Sequence, residues 1–293
     1  TKRTSGMKHK FLFILLFSLV LEGMVTTQAV AGEYVHQVNT LIGTKGTGLT
    51  SGYLYPGATY PYGMVQFTPS YFSKRSGFVI NQLSGGGCEH MGNFPTFPVK
   101  GKLKMSPDNI LNYRINVSEE KGHAGYYEAM VQEDIKAKLT VTERTGMASY
   151  EYPADQQYGT IIIGGGISAT PIEQAAIVIT APNKCEGYAE GGNFCGLRTP
   201  YKVYFVAEFD TDAFETGTWK REELMPNTTF AEGEYSGVYF TFDVNKKKNI
   251  QYKIGVSYVS VENARENLKA ENAEWDFQKI QNQAEAKWNH YLG

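Results

Sequence analysis

The chain has 293 residues, 42% of them hydrophobic, and its 28 Lys and Arg against 30 Asp and Glu leave a net charge of −2. That length can bury a large core without metal or disulfide staples. The near-neutral, slightly acidic balance argues against a nucleic-acid ligand and against an anionic membrane surface.

Residues 1–6 precede Met7 and are set aside. From Met7 the pattern is that of a secretory signal. Lys8 and Lys10 supply the positive start, Phe11 to Leu21 the apolar run, and Ala29-Val30-Ala31 the small-residue cleavage site. The run is too short for a membrane span. Cleavage after Ala31 leaves 262 residues, and loss of Lys2, Arg3, Lys8, Lys10 and Glu22 takes the net charge to −5. The expected plan is a leader plus signal over 1–31, a β domain over 32–260 and helices over 261–293. Export to a periplasm or to the exterior follows.

Gly43 to Gly48 is glycine-rich but lacks the Gly-Lys-Ser/Thr ending of a phosphate loop, so it is expected to be a plain loop. Short runs of Tyr, Thr, Val, Ile and Phe then recur between Gly, Pro and Asn, which predicts strands at 62–67, 97–104, 125–131, 147–152, 158–163, 175–180, 201–209 and 235–243. Apolar residues alternate with polar ones at Ile135, Ala137, Leu139 and Val141, and again at Tyr252, Ile254, Val256 and Tyr258. Such strands keep one face in a core and one in water. Ten or more of them with little helix between predict a mainly β fold, a large antiparallel two-sheet β-sandwich followed by C-terminal linker helices.

Leu83 to Pro95 is the densest stretch for chemistry. Gly85, Gly86 and Gly87 let a ligand or a second backbone approach closely. A thiol, a carboxylate, an imidazole and an amide follow at Cys88, Glu89, His90 and Asn93, beside apolar Met91 and Phe94. This composition suits a pocket wall. It suits equally a tight turn with buried Cys and His, because no metal-ligand or triad spacing accompanies it. Gly164 to Ala169 satisfies G-x-G-x-x-A, but a strand-like segment follows where a phosphate-holding helix is required. Cys185 and Cys195 stand ten apart in what reads as a Gly-rich loop, where an exported chain permits a disulfide, leaving Cys88 as a free thiol. Asp210 and Asp212 offer two carboxylates, too few for calcium, and read as a solvated turn.

From Glu262 the chain turns to helical spacing, predicting helices over 262–272 and 275–292. The second carries Phe277, Ile280, Ala284, Trp288 and Tyr291 on one stripe. Such a stripe either folds back on the sandwich or meets another domain. The second is the expectation taken here. Twenty Tyr, sixteen Phe and three Trp, with Tyr53, Tyr55, Tyr60 and Tyr62 clustered, suit sugar faces as well as a sandwich core.

Several blocks in order resemble the N-terminal domain of glycoside hydrolase family 92, the exo-acting α-mannosidases. They are Val38 to Gly43, Tyr55 to Pro69, Leu83 to Cys88 (the family's Leu-Ser-Gly-x-Gly-Cys), Gly191 to Gly196 with Tyr204 to Asp210, and Asn263 to Leu268. The sequence departs from the family upstream of the glycine loop. Tyr71 to Ser76 stands where many members carry a Trp-containing stretch, and Ile80-Asn81-Gln82 stands where they carry His-Thr-His.

The resemblance implies a sandwich followed by an (α/α)6 helical barrel, with calcium required and mannose released with inversion. Inversion needs one carboxylic acid and one carboxylate held apart by the attacking water. In the family these groups and the calcium ligands lie mainly in the barrel, so no catalytic or metal-binding residue is expected in this chain. The sandwich's share of the pocket maps onto Tyr71, Gln82, Ser84, Gly86, Gly87, Cys88, Glu89, His90 and Asn93. Gln82, Glu89, His90 and Asn93 are placed to bond sugar hydroxyls, and Tyr71 or Phe72 to stack on a ring. The expected partners are α-mannoside glycans and a helical barrel packing on residues 275–292. A free-standing carbohydrate-binding sandwich is the alternative.

Overall fold

The computed structural model describes residues 34–44, 54–70, 77–83, 88–108, 110, 113 and 116–293. The expected leader and signal lie outside them. The described residues form two antiparallel sheets, with strands numbered in chain order. In spatial order the first sheet is β1 (Ala58–Thr59), β2 (Gln66–Pro69), β3 (Phe78–Val79), β4 (Thr96–Lys100), β9 (Tyr158–Gly164), β16 (Ser236–Asp243), β13 (Glu215–Lys220) and β14 (Glu223–Pro226). The second is β15 (Phe230–Glu232), β10 (Ile172–Ala181), β11 (Lys184–Phe194), β12 (Leu197–Phe209), β17 (Asn249–Ser257), β8 (Thr145–Glu151), β7 (Ile135–Val141), β6 (Tyr126–Val131) and β5 (Val117–His123).

The inward faces meet through aromatic pairs that cross the sandwich. Phe67 packs on Tyr252 (ring centroids 6.4 Å apart), Phe78 stacks on Tyr150 (6.2 Å), and Phe209 contacts Phe240 and Phe242 (4.8 and 5.1 Å). These rings are fully buried. Each is worth about 1.5–3 kcal/mol in apolar area removed from water, which is why an aromatic-rich chain settles into two stacked sheets.

Two local readings need correction. The expected strand at 62–67 begins only at Gln66, because Tyr60 to Gly63 makes a turn closed by Gly63 N–H on Tyr60 C=O at 3.0 Å. The expected Gly-rich loop at 185–195 is strand β11. Cys185, Gly187 and Ala189 face inward while Glu186, Tyr188 and Glu190 face out. Gly187 is there because a side chain would run into the Ala176 carbonyl of the neighbouring strand. Close approach, not looseness, explains that glycine.

Helix α1 (Val261–Glu271) is capped by Ser260, whose Oγ accepts from Asn263 N–H at 3.1 Å. Its Ala264 and Leu268 pack on Val206 of β12. Helix α2 (Phe277–Leu292) starts where Asp276 Oδ1 accepts from Lys279 N–H at 2.9 Å. Its apolar stripe was expected to face another domain. It lies instead on the chain's own sandwich, with Ile280 and Ala284 buried. Gly125 (φ 87°), in the β5–β6 turn, presents no side chain to Ala284, so the helix can seat. Trp288 Nε1 donates to Thr59 C=O at 2.7 Å, and His123 Nε2 meets Glu285 Oε1 at 2.8 Å. Of the stripe, Tyr291 in the last turn stays exposed, as does Leu292 beside it.

Candidate functional site

Three strand ends meet at one edge of the sandwich. They are the segments 77–83 and 88–95, the latter leading into β4, the tip of the β11–β12 hairpin, and the end of β17. The segment 88–95 is held by backbone bonds from Leu83 N–H to His90 C=O (3.2 Å) and from Ala169 N–H to Met91 C=O (2.8 Å). Met91, Gly92 and Phe94 take positive φ (59°, 77° and 53°). For the two side-chain-bearing residues this costs on the order of 1–2 kcal/mol each. Phe94 offsets it by packing on Phe205 with centroids 4.2 Å apart. Gly92 sits against the Gln82 side chain, which is buried.

A polar cluster forms above this cradle. Asn93 is fully buried, and its N–H donates to Asn81 Oδ1 at 2.8 Å. Asn93 Oδ1 accepts from Asn81 Nδ2 (3.1 Å) and from Tyr201 OH (2.9 Å). Asn81 Nδ2 also reaches Tyr258 OH at 3.4 Å, and that hydroxyl points at Met91 Sδ, 3.8 Å away. Burial raises both Tyr201 and Tyr258 above the ordinary phenol pKa, so both stay protonated hydrogen-bond donors near neutral pH. Asn93 Nδ2 is buried and has no partner among the described residues. An unmade bond of this kind costs about 1–3 kcal/mol, and it marks where an acceptor from outside would be welcome.

His90 is buried beside the cluster, edge-on to Phe194 (5.3 Å) and Tyr201 (5.7 Å). Its Nδ1 lies 3.3 Å from the Asn193 carbonyl. A carbonyl only accepts, so that contact puts the proton on Nδ1 and leaves Nε2 as the acceptor of the neutral ring. Glu89 is half-buried next to it.

The hairpin tip is fastened to the segment by a disulfide between Cys88 and Cys195, with Cα atoms 5.4 Å apart. This rules out the Cys185–Cys195 bridge that the sequence permits, and with it the free thiol at Cys88. Ten residues of extended strand separate their ends by roughly 30 Å, whereas a bridge needs Cα atoms within about 7 Å. Cys185 is the buried free thiol, and burial pushes its pKa far up. Gly192 (φ 141°) sits at the bulge that turns the tip toward the segment, where a side chain would strike the Thr199 carbonyl.

Of the expected site residues, Gln82, Cys88, Glu89, His90 and Asn93 converge here. Tyr71, Ser84, Gly86 and Gly87 lie outside the described residues, as does Phe72. Asn81, Tyr201 and Tyr258 had not been singled out. Asn81 adjoins Gln82 in sequence, whereas the two tyrosines arrive only through strand pairing and carry no local signal.

The donors gathered here are amides, phenols, one imidazole and one carboxylate. Calcium calls for six to eight oxygens, carboxylates prominent among them, so this set does not fit that ion. Among the described residues no three His, Cys, Asp or Glu side chains group as a metal site. Asp210, the other candidate, is paired with Lys247 at 2.7 Å.

Comparison with known proteins places this architecture. An inverting mannosidase of family 92 from Bacteroides thetaiotaomicron superposes with a TM-score of 0.76 at 26% identity, over 89% of this chain and 36% of that one. A family 92 α-mannosidase from the same organism superposes with a TM-score of 0.75 at 24% identity, over 88% and 38%. A protein of Arthroderma benhamiae described as an uncharacterized secreted glycosidase is 25% identical over 94% of this chain. The chain thus spans 40% of that relative's length. The model of the glycosyl hydrolase family 92 N-terminal domain matches residues 37–257, so the chain belongs to glycosyl hydrolase family 92 and carries its N-terminal domain.

Proposed function

We propose that this chain is the N-terminal part of an exported, calcium-dependent α-mannosidase, and that the cluster around Asn93 forms one wall of its mannoside pocket. That Asn93 Nδ2 finds no partner among the described residues is the observation that carries the reading. A sugar hydroxyl or ring oxygen accepts such a bond, and the hydroxyl oxygens of Tyr201 and Tyr258 with His90 Nε2 add acceptors suited to hydroxyl groups. Gln82 and Glu89 extend the same wall. Export is supported by the signal pattern from Met7 to Ala31 and by the secreted relative.

The groups at this wall hold and orient a ring; they do not supply a separated acid and base. Inverting hydrolysis needs a carboxylic acid to protonate the leaving oxygen and a carboxylate to activate water, about 6.5–9.5 Å apart. That pair, and the calcium, are assigned to the remainder of the enzyme. The chain by itself is then inactive.

The test is mannose release from α-linked mannobiose by the purified chain, alone and joined to the polypeptide encoded after Gly293. Release only by the joined protein supports the reading, and Asn93→Ala should lower its kcat/KM at least tenfold. Turnover by the chain alone would overturn it. Strong mannose binding by the chain alone would favour a free-standing carbohydrate-binding module instead.

A further inference from the structure

The β11–β12 hairpin ends in a two-residue turn, Cys195-Gly196, with φ at 52° and 84°. Positive φ at both central residues is the type I′ turn, whose twist matches that of the strands it joins. Glycine takes this conformation freely, whereas Cys195 takes it at a cost on the order of 1–2 kcal/mol. The turn is held from three directions. The Cys195 sulfur is tied to Cys88, Asn193 Oδ1 accepts from Gly196 N–H at 2.9 Å, and Arg198 meets both carboxylate oxygens of Glu173 on β10, at 3.3 and 3.1 Å.

The side chains that this turn holds up are apolar. Phe194 and Leu197 flank it and are directly paired across the hairpin, so their side chains share one face. That face is turned to the polar cluster. The Phe194 ring stands edge-on to His90 at 5.3 Å, and the Asn193 carbonyl lies 3.3 Å from His90 Nδ1. Phe194 is half-buried by this contact, while Leu197 beside it is 70% exposed. An isolated exposed leucine needs no explanation. This one sits on a strained, cross-linked turn, next to the ring that covers a histidine of the proposed mannoside wall.

The two surfaces differ in chemistry. The wall offers amides, phenols and an imidazole, which bond the hydroxyl groups of one ring. The ledge beside it offers no hydrogen-bonding side chain at Phe194 or Leu197. A pyranose has C–H faces as well as hydroxyl edges, and a C–H face gains by dispersion and by leaving water on such side chains. We propose that Leu197, seated beside Phe194, is a specificity-determining residue of the mannoside site, taking the C–H face of the sugar to which the mannose is linked. The proposal rests on the mannoside-wall reading above and adds a contact on the leaving-group side, outside the mannosyl ring. Being apolar, the contact selects for the presence and shape of a second ring and not for a pattern of hydroxyl groups. Being fixed in advance, it loses little freedom when the ligand arrives.

Two substrates of the joined protein test this. In α-linked mannobiose the leaving group is a sugar; in α-mannosyl fluoride it is a single atom that cannot reach the ledge. Leu197→Ser should lower the ratio of kcat/KM for mannobiose to that for the fluoride about tenfold, the size of one apolar contact in a binding site. Leu197→Met keeps an apolar side chain of similar volume and should hold the ratio within about twofold of the parent's. Asn93→Ala acts under the mannosyl ring, so it should lower both values together and leave the ratio unchanged. Loss of folded protein scales both values equally and cancels in the ratio. An unchanged ratio in Leu197→Ser, or the same fall in Leu197→Met, overturns the ledge while leaving the wall standing. Full activity of Asn93→Ala on both substrates overturns the wall, and the ledge with it.

Discussion

Asn81 and Asn93 hold each other by two hydrogen bonds, one from the Asn93 backbone N–H to Asn81 Oδ1 and one from Asn81 Nδ2 to Asn93 Oδ1. One side chain thereby does for a buried, irregular segment what a neighbouring strand does for a regular one. Asn81→Ala should leave the Asn93 N–H buried without a partner and lower unfolding stability by about 1–3 kcal/mol. Urea denaturation followed by tryptophan fluorescence measures this. A change within about 0.5 kcal/mol, the level of an ordinary surface substitution, would show that the pair is not holding the segment.

The Cys88–Cys195 bridge joins residues 107 apart in sequence. In the chain-entropy view a loop of that size is worth on the order of 4–5 kcal/mol. Cys88→Ser should therefore lower the thermal midpoint strongly under oxidising conditions and make the protein insensitive to dithiothreitol. Cys185, buried and with its thiol pKa pushed up, should resist iodoacetamide until the chain unfolds. Non-reducing peptide mapping that finds Cys185 linked to Cys195 would contradict both expectations.

How far these features are legible in the residues differs by their range along the chain. Ile135 to Val141 and Tyr252 to Val256 declare themselves as strands by simple alternation. The polar residues Gln82, Cys88, Glu89, His90 and Asn93 are readable as a candidate site because they are near neighbours in sequence. Strand β11 is not readable, because Gly187 and Gly191 look like loop residues when their reason is the neighbouring backbone. Tyr201 and Tyr258 join the cluster only through the pairing of β11 with β12 and of β12 with β17. The seat of α2 is hidden for a similar reason: a single turn glycine, Gly125, makes room for the helix.

That seat gives a direct test. Gly125→Ala introduces a methyl group 3.0 Å from Ala284 Cβ and forces a side chain into φ 87°. The strain alone is about 1–2 kcal/mol. Helix α2 should detach before the sandwich melts, seen as earlier tryptic cleavage at Lys279 and Lys287 with the β-sheet circular dichroism retained. Cleavage kinetics equal to the parent's would mean that the helix is not held through this contact.

Lys253 gives a stability that depends on pH. Its ammonium is buried between β17 and the α1–α2 connection, donating to the carbonyls of Asn272 (2.9 Å) and Ala273 (3.0 Å), with Nζ 4.1 Å from the Trp275 ring centre and 3.9 Å from Glu208. Burial lowers its pKa from the usual lysine value, Lys184 adds to that lowering, and Glu208 opposes it. Between the lowered folded value and the unfolded value near 10.4, the unfolded chain binds more protons than the folded one. Stability then rises with pH across that window. Lys253→Met removes the titrating group and leaves both carbonyls without their donor, so it should be less stable near pH 7 and should lose this rise. Urea midpoints at pH 7, 8, 9 and 10 for parent and variant measure the difference, after the background slope common to both is subtracted. A gap between the two proteins that stays constant over that range would show that the ammonium is as well solvated in the fold as in the open chain.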